Sequence, residues 1–148
     1  MAVTSTPIFA QTPFVKSLNM SAITACTTRG PTATANLAAA NITAFVPIST
    51  NGLRIDSIGV TAASTGFTVA SVANIVGIWS WDGTTAFLIN EILTTVVTPS
   101  TTAVSYSGML TYAQPLILPA AFALYASVSV TTTAAGAALV VTAYGGAY

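Results

Sequence analysis

The stretch from Asn74 to Leu93, NIVGIWSWDGTTAFLINEIL, constrains the fold of this chain more than any other. Two apolar runs, Ile75–Trp81 and Thr84–Leu93, flank Asp82-Gly83. Asp-Gly between β-forming runs marks a two-residue hairpin turn, because a type I′ turn needs positive φ at both central positions. Such a turn predicts the pairs Trp81–Thr84, Trp79–Ala86 and Gly77–Leu88 on one face, and Ser80–Thr85, Ile78–Phe87 and Val76–Ile89 on the other. Val76, Ile78, Phe87 and Ile89 then form a core face. Trp79, Trp81, Ala86 and Leu88 form a second apolar face, where a solvated antiparallel sheet carries charge. A hairpin apolar on both sides requires cover on both sides.

The charge content sharpens this. Lys16, Arg29, Arg54, Asp56, Asp82 and Glu91 are the only strong charges, 4% of 148 residues and net zero, against roughly 25% in an ordinary soluble domain. No basic stripe exists to neutralise phosphates, so nucleic acid is not an expected partner. High hydrophobicity excludes a disordered chain. A membrane-spanning helix needs about 20 consecutive apolar residues, and the best window, Leu116–Val130, is broken by Pro119, Ser127 and Ser129. Tilted strands could line a membrane barrel, but the paired aromatic girdles of that architecture are not visible. No secretory leader is expected, since MAVTSTPIFAQTPF carries two prolines and no charged segment ahead of an apolar run.

Met1–Phe14, polar and proline-bearing with apolar anchors at Ile8, Phe9 and Phe14, reads as an extended arm lying on a neighbouring subunit, and residues 15–148 as one domain. Within that domain Val15–Thr28 reads as the first strand, with Cys26 a small buried hydrophobe inside it. Thr32–Ala40 is a loop or a short helical turn. Ile42–Ile48 alternates, with Ile42, Ala44, Val46 and Ile48 on one face. In Leu53–Ala62 the apolar phase switches between Ile55 and Ile58, which predicts either two buried faces or a bulge near Asp56-Ser57. Arg54 and Asp56 there share a face and can pair. The strand entering at Thr94 breaks at Pro99-Ser100; Val104–Tyr112 is a strand with Gly108 as a bend, and Pro115–Pro119 suits an edge or a connection between sheets. Phe122–Val130 alternates most cleanly, with Phe122, Leu124, Ala126, Val128 and Val130 inward. Ala137–Tyr144 closes the domain, and Gly145–Tyr148 is a tail. About eight strands spaced 8–12 residues apart, with no amphipathic helix, predict an all-β, two-sheet antiparallel jelly-roll sandwich. An immunoglobulin-like sandwich is the alternative, but its Cys…Trp…Cys pattern is absent.

Chemistry is sparse. Without histidine no Ser-His-Asp or Cys-His arrangement can form. One cysteine and three carboxylates supply neither a zinc site nor a disulfide. Asp82 is explained by the turn and Glu91 by a strand end, which leaves no carboxylate pair for glycoside hydrolysis. No enzyme, metal or cofactor is expected. Trp79 and Trp81 have two readings, a stacking platform for a glycan or receptor and anchors in a core or subunit interface, where aromatic residues are enriched. The residues expected at interfaces are Ile8, Phe9, Phe14, Trp79, Trp81, Leu88, Tyr125 and Tyr148.

The runs LRIDSIGVTAAS, VGIWSWDGTTAFLINEIL, PLILPAAFALYASVSV and the closing VVTAYGGAY resemble the small jelly-roll capsid decoration, or cement, proteins of tailed bacteriophages. The likeness spans roughly Leu53 to Tyr148. It implies a homotrimer on the virion surface that binds the major capsid protein through apolar faces and terminal arms, with no catalytic residues. The low charge is more extreme than that setting suggests, so a neck, tail or fibre role also stays open. A carbohydrate- or receptor-binding module using the two tryptophans is the alternative from another class.

Overall fold

In a computed structural model of the chain, the structure describes residues 12–63, 69–133 and 138–148. Among these the strands are β1 (Thr12–Asn19), β2 (Thr32–Ala33), β3 (Thr43–Val46), β4 (Leu53–Ala63), β5 (Asn74–Trp81), β6 (Thr85–Thr94), β7 (Ser107–Leu118), β8 (Ala123–Val128) and β9 (Ala138–Ala147), with one 3₁₀ turn at Thr34–Asn36. They build two antiparallel sheets, ordered β1-β9-β4-β7 and β2-β6-β5-β8-β3. The pairs β1–β9, β3–β8, β4–β7 and β5–β6 are nested, so the chain is in effect one long antiparallel ribbon rolled over itself. β4–β9 and β5–β8 contacts join the turns of the roll. This is the jelly roll, with the short β2 added beside β6.

Between the sheets lies the main core: Ile55, Ile58 and Val60 of β4 and Val141 of β9 face Val76 and Ile78 of β5 and Leu124 and Val128 of β8, all fully buried. The phase change in β4 is resolved by a bulge. The register of β4 shifts between Ile55 and Ser57 against both β7 and β9. Leu53, Ile55, Ile58, Val60 and Ala62 consequently all point inward. The bulged Asp56 accepts the Arg54 Nε–H at 2.8 Å. Opposite the bulge, β7 passes through Tyr112–Pro115 before pairing resumes at Leu116, and Pro115 is tolerated because β7 is an edge strand.

The central hairpin forms, with a different turn. Asp82 N–H donates to Thr85 O, so the loop is Gly83-Thr84, and only Gly83 has positive φ (+100°). A positive φ at the first loop position alone is the type II′ requirement. The pairs become Trp81–Ala86, Ser80–Phe87 and Trp79–Leu88. Asp82 does not sit in the turn but caps it, its carboxylate accepting Thr84 N–H, Thr84 Oγ1–H and Thr85 N–H at 2.8–2.9 Å. The Thr85 amide first, then Thr84, holds the Asp82 pKa below its ordinary value. A depressed folded-state pKa contributes stability present above the unfolded value and lost as pH falls through the folded one. Asp82→Ala should therefore melt below wild type at neutral pH, and the gap should close once the pH drops well below about 4. Thermal melts of both proteins across that range check it.

Four expectations need correction. Ile89 and Phe87 are exposed rather than in the core. A bulge between Ile78 and Trp79 leaves Ile89 unpaired, and beyond it Ile92 takes the place beside Val76. The first strand starts at Thr12 and ends at Asn19, because Asn19 Oδ1 accepts the Ser21 N–H and Ala22 adopts φ +56°. The chain then leaves the four-stranded sheet, and Cys26 N–H donates to Val128 O beside β8. Cys26 is thus half-buried in an irregular segment. In β3 a bulge between Ala44 and Val46 turns both Phe45 and Val46 inward, whereas Ile48 and, after β8, Val130 are exposed. Finally, Gly145–Ala147 are not a tail but the end of β9, paired with Phe14–Thr12 on one side and Ile55–Leu53 on the other.

Buried side chains stitch the strand ends. The Asn74 side chain is nearly inaccessible, its Oδ1 accepting the N–H groups of Ile75, Ser129 and Val130 while Nδ2 donates to Val130 O. Thr132 Oγ1 donates to Met20 O and accepts Ile23 N–H, which holds the segment after β1 against the chain leaving β8.

Candidate assembly surfaces

Alternation along each strand decides which side chains leave the sandwich. On the five-stranded sheet the outward set is the second apolar face of the hairpin, and the chain covers much of it itself. Leu37, Ala40 and Ile42 pack on Trp79 and Ala86, with Cys26, Trp81, Leu88 and Tyr125 at the margin. Trp79 is 1% exposed and donates its indole N–H to Ser127 Oγ at 2.9 Å. Trp81, half-buried, donates to Thr34 Oγ1 at 3.0 Å and lies 5.9 Å from the Tyr125 ring. A two-indole stacking platform is therefore not built, because one indole is inside its own chain. For the same reason Trp79 offers no surface to a second subunit.

The remaining expected interface residues are scattered. Phe14 packs against the main core from β1. Leu88 and Tyr125 flank Trp79 on β6 and β8. Tyr148 is half-buried and its N–H donates to Gly52 O. Ile8 and Phe9 lie outside the described residues. Since Thr12–Phe14 belong to β1, the arm expected over Met1–Phe14 does not extend past Gln11.

The outer face of the four-stranded sheet carries what sequence reasoning missed. Val15 pairs with Tyr144, Tyr144 with Ser57, and Gly59 with both Thr142 and Met109. Gly59 leaves a shallow trough at the centre: a Cβ there would sit 3.8 Å from both Met109 Cε and Tyr144 Cε2. Val15, Tyr144 and Met109 thus form one apolar strip crossing all four strands, 62%, 38% and 63% exposed. Its neighbours on the same face are hydroxyls, Ser17, Thr142, Ser57 and Thr111. The charges in the register rows from Pro13 to Asn19 are Arg54, paired with Asp56, and Lys16, which falls on the other parity of β1 with Phe14 and Leu18. The signal was present as the second parity of β1 and β9. It went unread because attention to alternation favours the larger, inward set.

Arg54 forms an ion pair with Asp56 and, on the other sheet, Arg29 Nε forms one with Glu91 Oε1 at 2.9 Å. Among the described residues no three of His, Cys, Asp and Glu approach closely enough to hold a metal ion. No helix among them is long and apolar enough to cross a membrane. No family model matches the chain, and no curated protein or solved structure is similar to it at a significant level.

Proposed function

We propose that this protein is a structural subunit of a virus particle, a decoration protein that self-associates through the outer face of its four-stranded sheet and seats on a capsid. The observation that carries this reading is the uncharged strip of Val15, Tyr144 and Met109. Exposed apolar side chains that adjoin one another mark protein–protein contact sites, whereas single scattered ones do not. Small hydroxyl side chains around it lose little rotamer entropy on burial, which favours dry packing against a second copy. The jelly roll is a recurrent architecture of capsid domains, and its two sheets leave broad faces for lateral contacts. Function in this reading is mechanical. Many weak contacts held in a symmetric array bind a shell far more tightly than each contact alone.

The test is the mass of the purified protein by native mass spectrometry, followed by addition to bare shells. Wild type is expected as a trimer that saturates the shell. Met109→Lys combined with Tyr144→Lys would bury unpaired charge at several kcal/mol each, weakening association by about a hundredfold or more while the monomer stays folded by circular dichroism. A wild-type monomer that ignores shells would overturn the proposal. So would a lysine variant that assembles normally. Deleting Met1–Gln11, rather than residues of β1, then separates any contribution of the arm from that of the sheet.

A further inference from the structure

We infer that a cleft on the outer face of the five-stranded sheet binds a neutral polyhydroxylated ring, a monosaccharide unit of a glycan. The segment from Cys26 to Ile42 covers only the part of that face around Trp79, Trp81 and Ala86. Beyond its edge lies an open cleft of about 370 Å³ bounded by Cys26–Arg29 and by β5, β6 and β8. Its volume falls at the lower end of the small-ligand range, about 300–1,000 Å³.

The floor is set by one register row, Ser127 of β8, Gly77 of β5 and Glu91 of β6. With strands about 4.8 Å apart, the backbones that carry the hydroxyl and the carboxylate stand roughly 10 Å apart, and the edge of Trp79 and the end of Leu88 lie over Gly77 between them. Gly77 is required there, since a Cβ would lie 2.7 Å from Ser127 Oγ, 3.0 Å from Trp79 Nε1 and 3.2 Å from Leu88 Cδ1. Ser127 is 4% exposed, and its oxygen already accepts the Trp79 indole N–H. What remains to it is a proton with no acceptor among the described residues. A buried hydroxyl with an uncommitted proton at the wall of a cleft is a donor awaiting a partner.

The electrostatics select the ligand class. Arg29 and Glu91 are the charged groups of the cleft and neutralise each other at 2.9 Å. A free anion or cation would gain from one and be opposed by the other. The remaining guanidinium N–H groups and the second carboxylate oxygen present donors and acceptors side by side, as adjacent hydroxyls of a ring require. Ile75, Leu88 and the edge of Trp79 supply an apolar wall for its C–H face. This site is distinct from a stack on exposed indoles: Trp79 contributes an edge and orients Ser127.

The chain reports on the cleft directly, because it has two tryptophans. In a ¹H–¹⁵N spectrum the Trp79 indole N–H, bonded to Ser127, is the probe; the Trp81 indole, bonded to Thr34, is the internal control. Titration with methyl glycosides of glucose, galactose, mannose and N-acetylglucosamine should shift the Trp79 signal saturably for at least one sugar. A ligand of about a dozen heavy atoms warrants a millimolar dissociation constant. Arg29→Ala and Glu91→Ala, at side chains 64% and 38% exposed, should each weaken binding tenfold or more with the fold intact. No saturable shift for any of the four up to about 50 mM, far above that range, would overturn the inference. A shift unchanged in both variants would do the same, as would saturation by a free zwitterionic amino acid in place of the sugars.

Discussion

Gly145→Ala is expected to be among the most damaging single substitutions in this protein, although it adds one methyl group near the end of the chain. Gly145 pairs with Phe14 on one side and Ile55 on the other, at the bulge where β4 shifts register. A Cβ at this position would overlap the Arg54 carbonyl oxygen and crowd the Ile55 backbone. The obstruction is backbone, so no rotamer change relieves it. Either β9 separates from β4, losing ladder bonds beside the core, or the β4 bulge is remodelled. Overpacking of this kind costs about 3 kcal/mol or more, which for a domain of this size lowers the melting temperature by roughly 6–12 °C. Two other glycines calibrate the measurement. Gly83 has open space around it but φ +100°, so alanine there should cost about 1 kcal/mol from backbone strain alone. Gly59 has ordinary contacts and an extended backbone, and alanine should be close to neutral. Thermal melts should rank Gly145 far above Gly83, and Gly83 above Gly59. If Gly145→Ala melts with wild type, the register of β9 against β4 at Ile55 is wrong.

Trp79→Ala should cost about 3–5 kcal/mol, the range for removing a fully buried large aromatic side chain. The loss has a local signature as well as a global one. Trp79 is the largest fully buried side chain of the protein and the hub on which Leu37, Ala40 and Ile42 rest. Without it the cover over the five-stranded sheet loses its seat. Amide exchange should accelerate first at Ile42, whose N–H donates to Leu37 O, ahead of the β4 and β9 amides of the opposite sheet. Ser127 Oγ would simultaneously lose the indole N–H. The substitution also separates two ideas about the same residue. An anchor at a subunit interface, once truncated, leaves a folded monomer that fails to assemble. A core residue, once truncated, lowers the melting temperature of the monomer itself. The 1% exposure of Trp79 predicts the second outcome.

The two substitutions mark where local pattern ends. Some of the fold was legible along single strands. The phase switch between Ile55 and Ile58 left a bulge or two buried faces, of which the bulge is found; the adjacency of Arg54 and Asp56 allowed the ion pair they form; and alternation separated Leu124, Ala126 and Val128 from Tyr125 and Ser127. The hairpin around Asp82-Gly83 was legible in existence but not in detail. Asp82 could serve as a loop residue or as a cap; accepting three hydrogen bonds from Thr84 and Thr85 outweighed the positive φ that a type I′ turn demands of it.

The candidate surfaces were legible only in part. An apolar Trp79–Trp81 face announced that something must cover it, and the covering segment, rich in Ala and Thr, has no periodicity to announce itself. Its nature as cover arises from Leu37, Ala40 and Ile42 meeting Trp79 and Ala86 across 37 to 49 positions of sequence, a contact that no local window contains. Gly145-Gly146 read as a tail for a related reason: a glycine required by a close backbone approach looks, in one dimension, the same as a glycine that ends a chain. The sequence by itself determined an all-β protein, low in charge, with a hairpin that must be covered on both faces, because side-chain alternation and turn chemistry are local properties. Only the tertiary structure decided that the chain covers one of those faces largely by itself, that Val15, Tyr144 and Met109 align across four strands, and that Ser127, Gly77 and Glu91 share one row. Those are facts of register between distant strands, and register is set by how whole faces pack together.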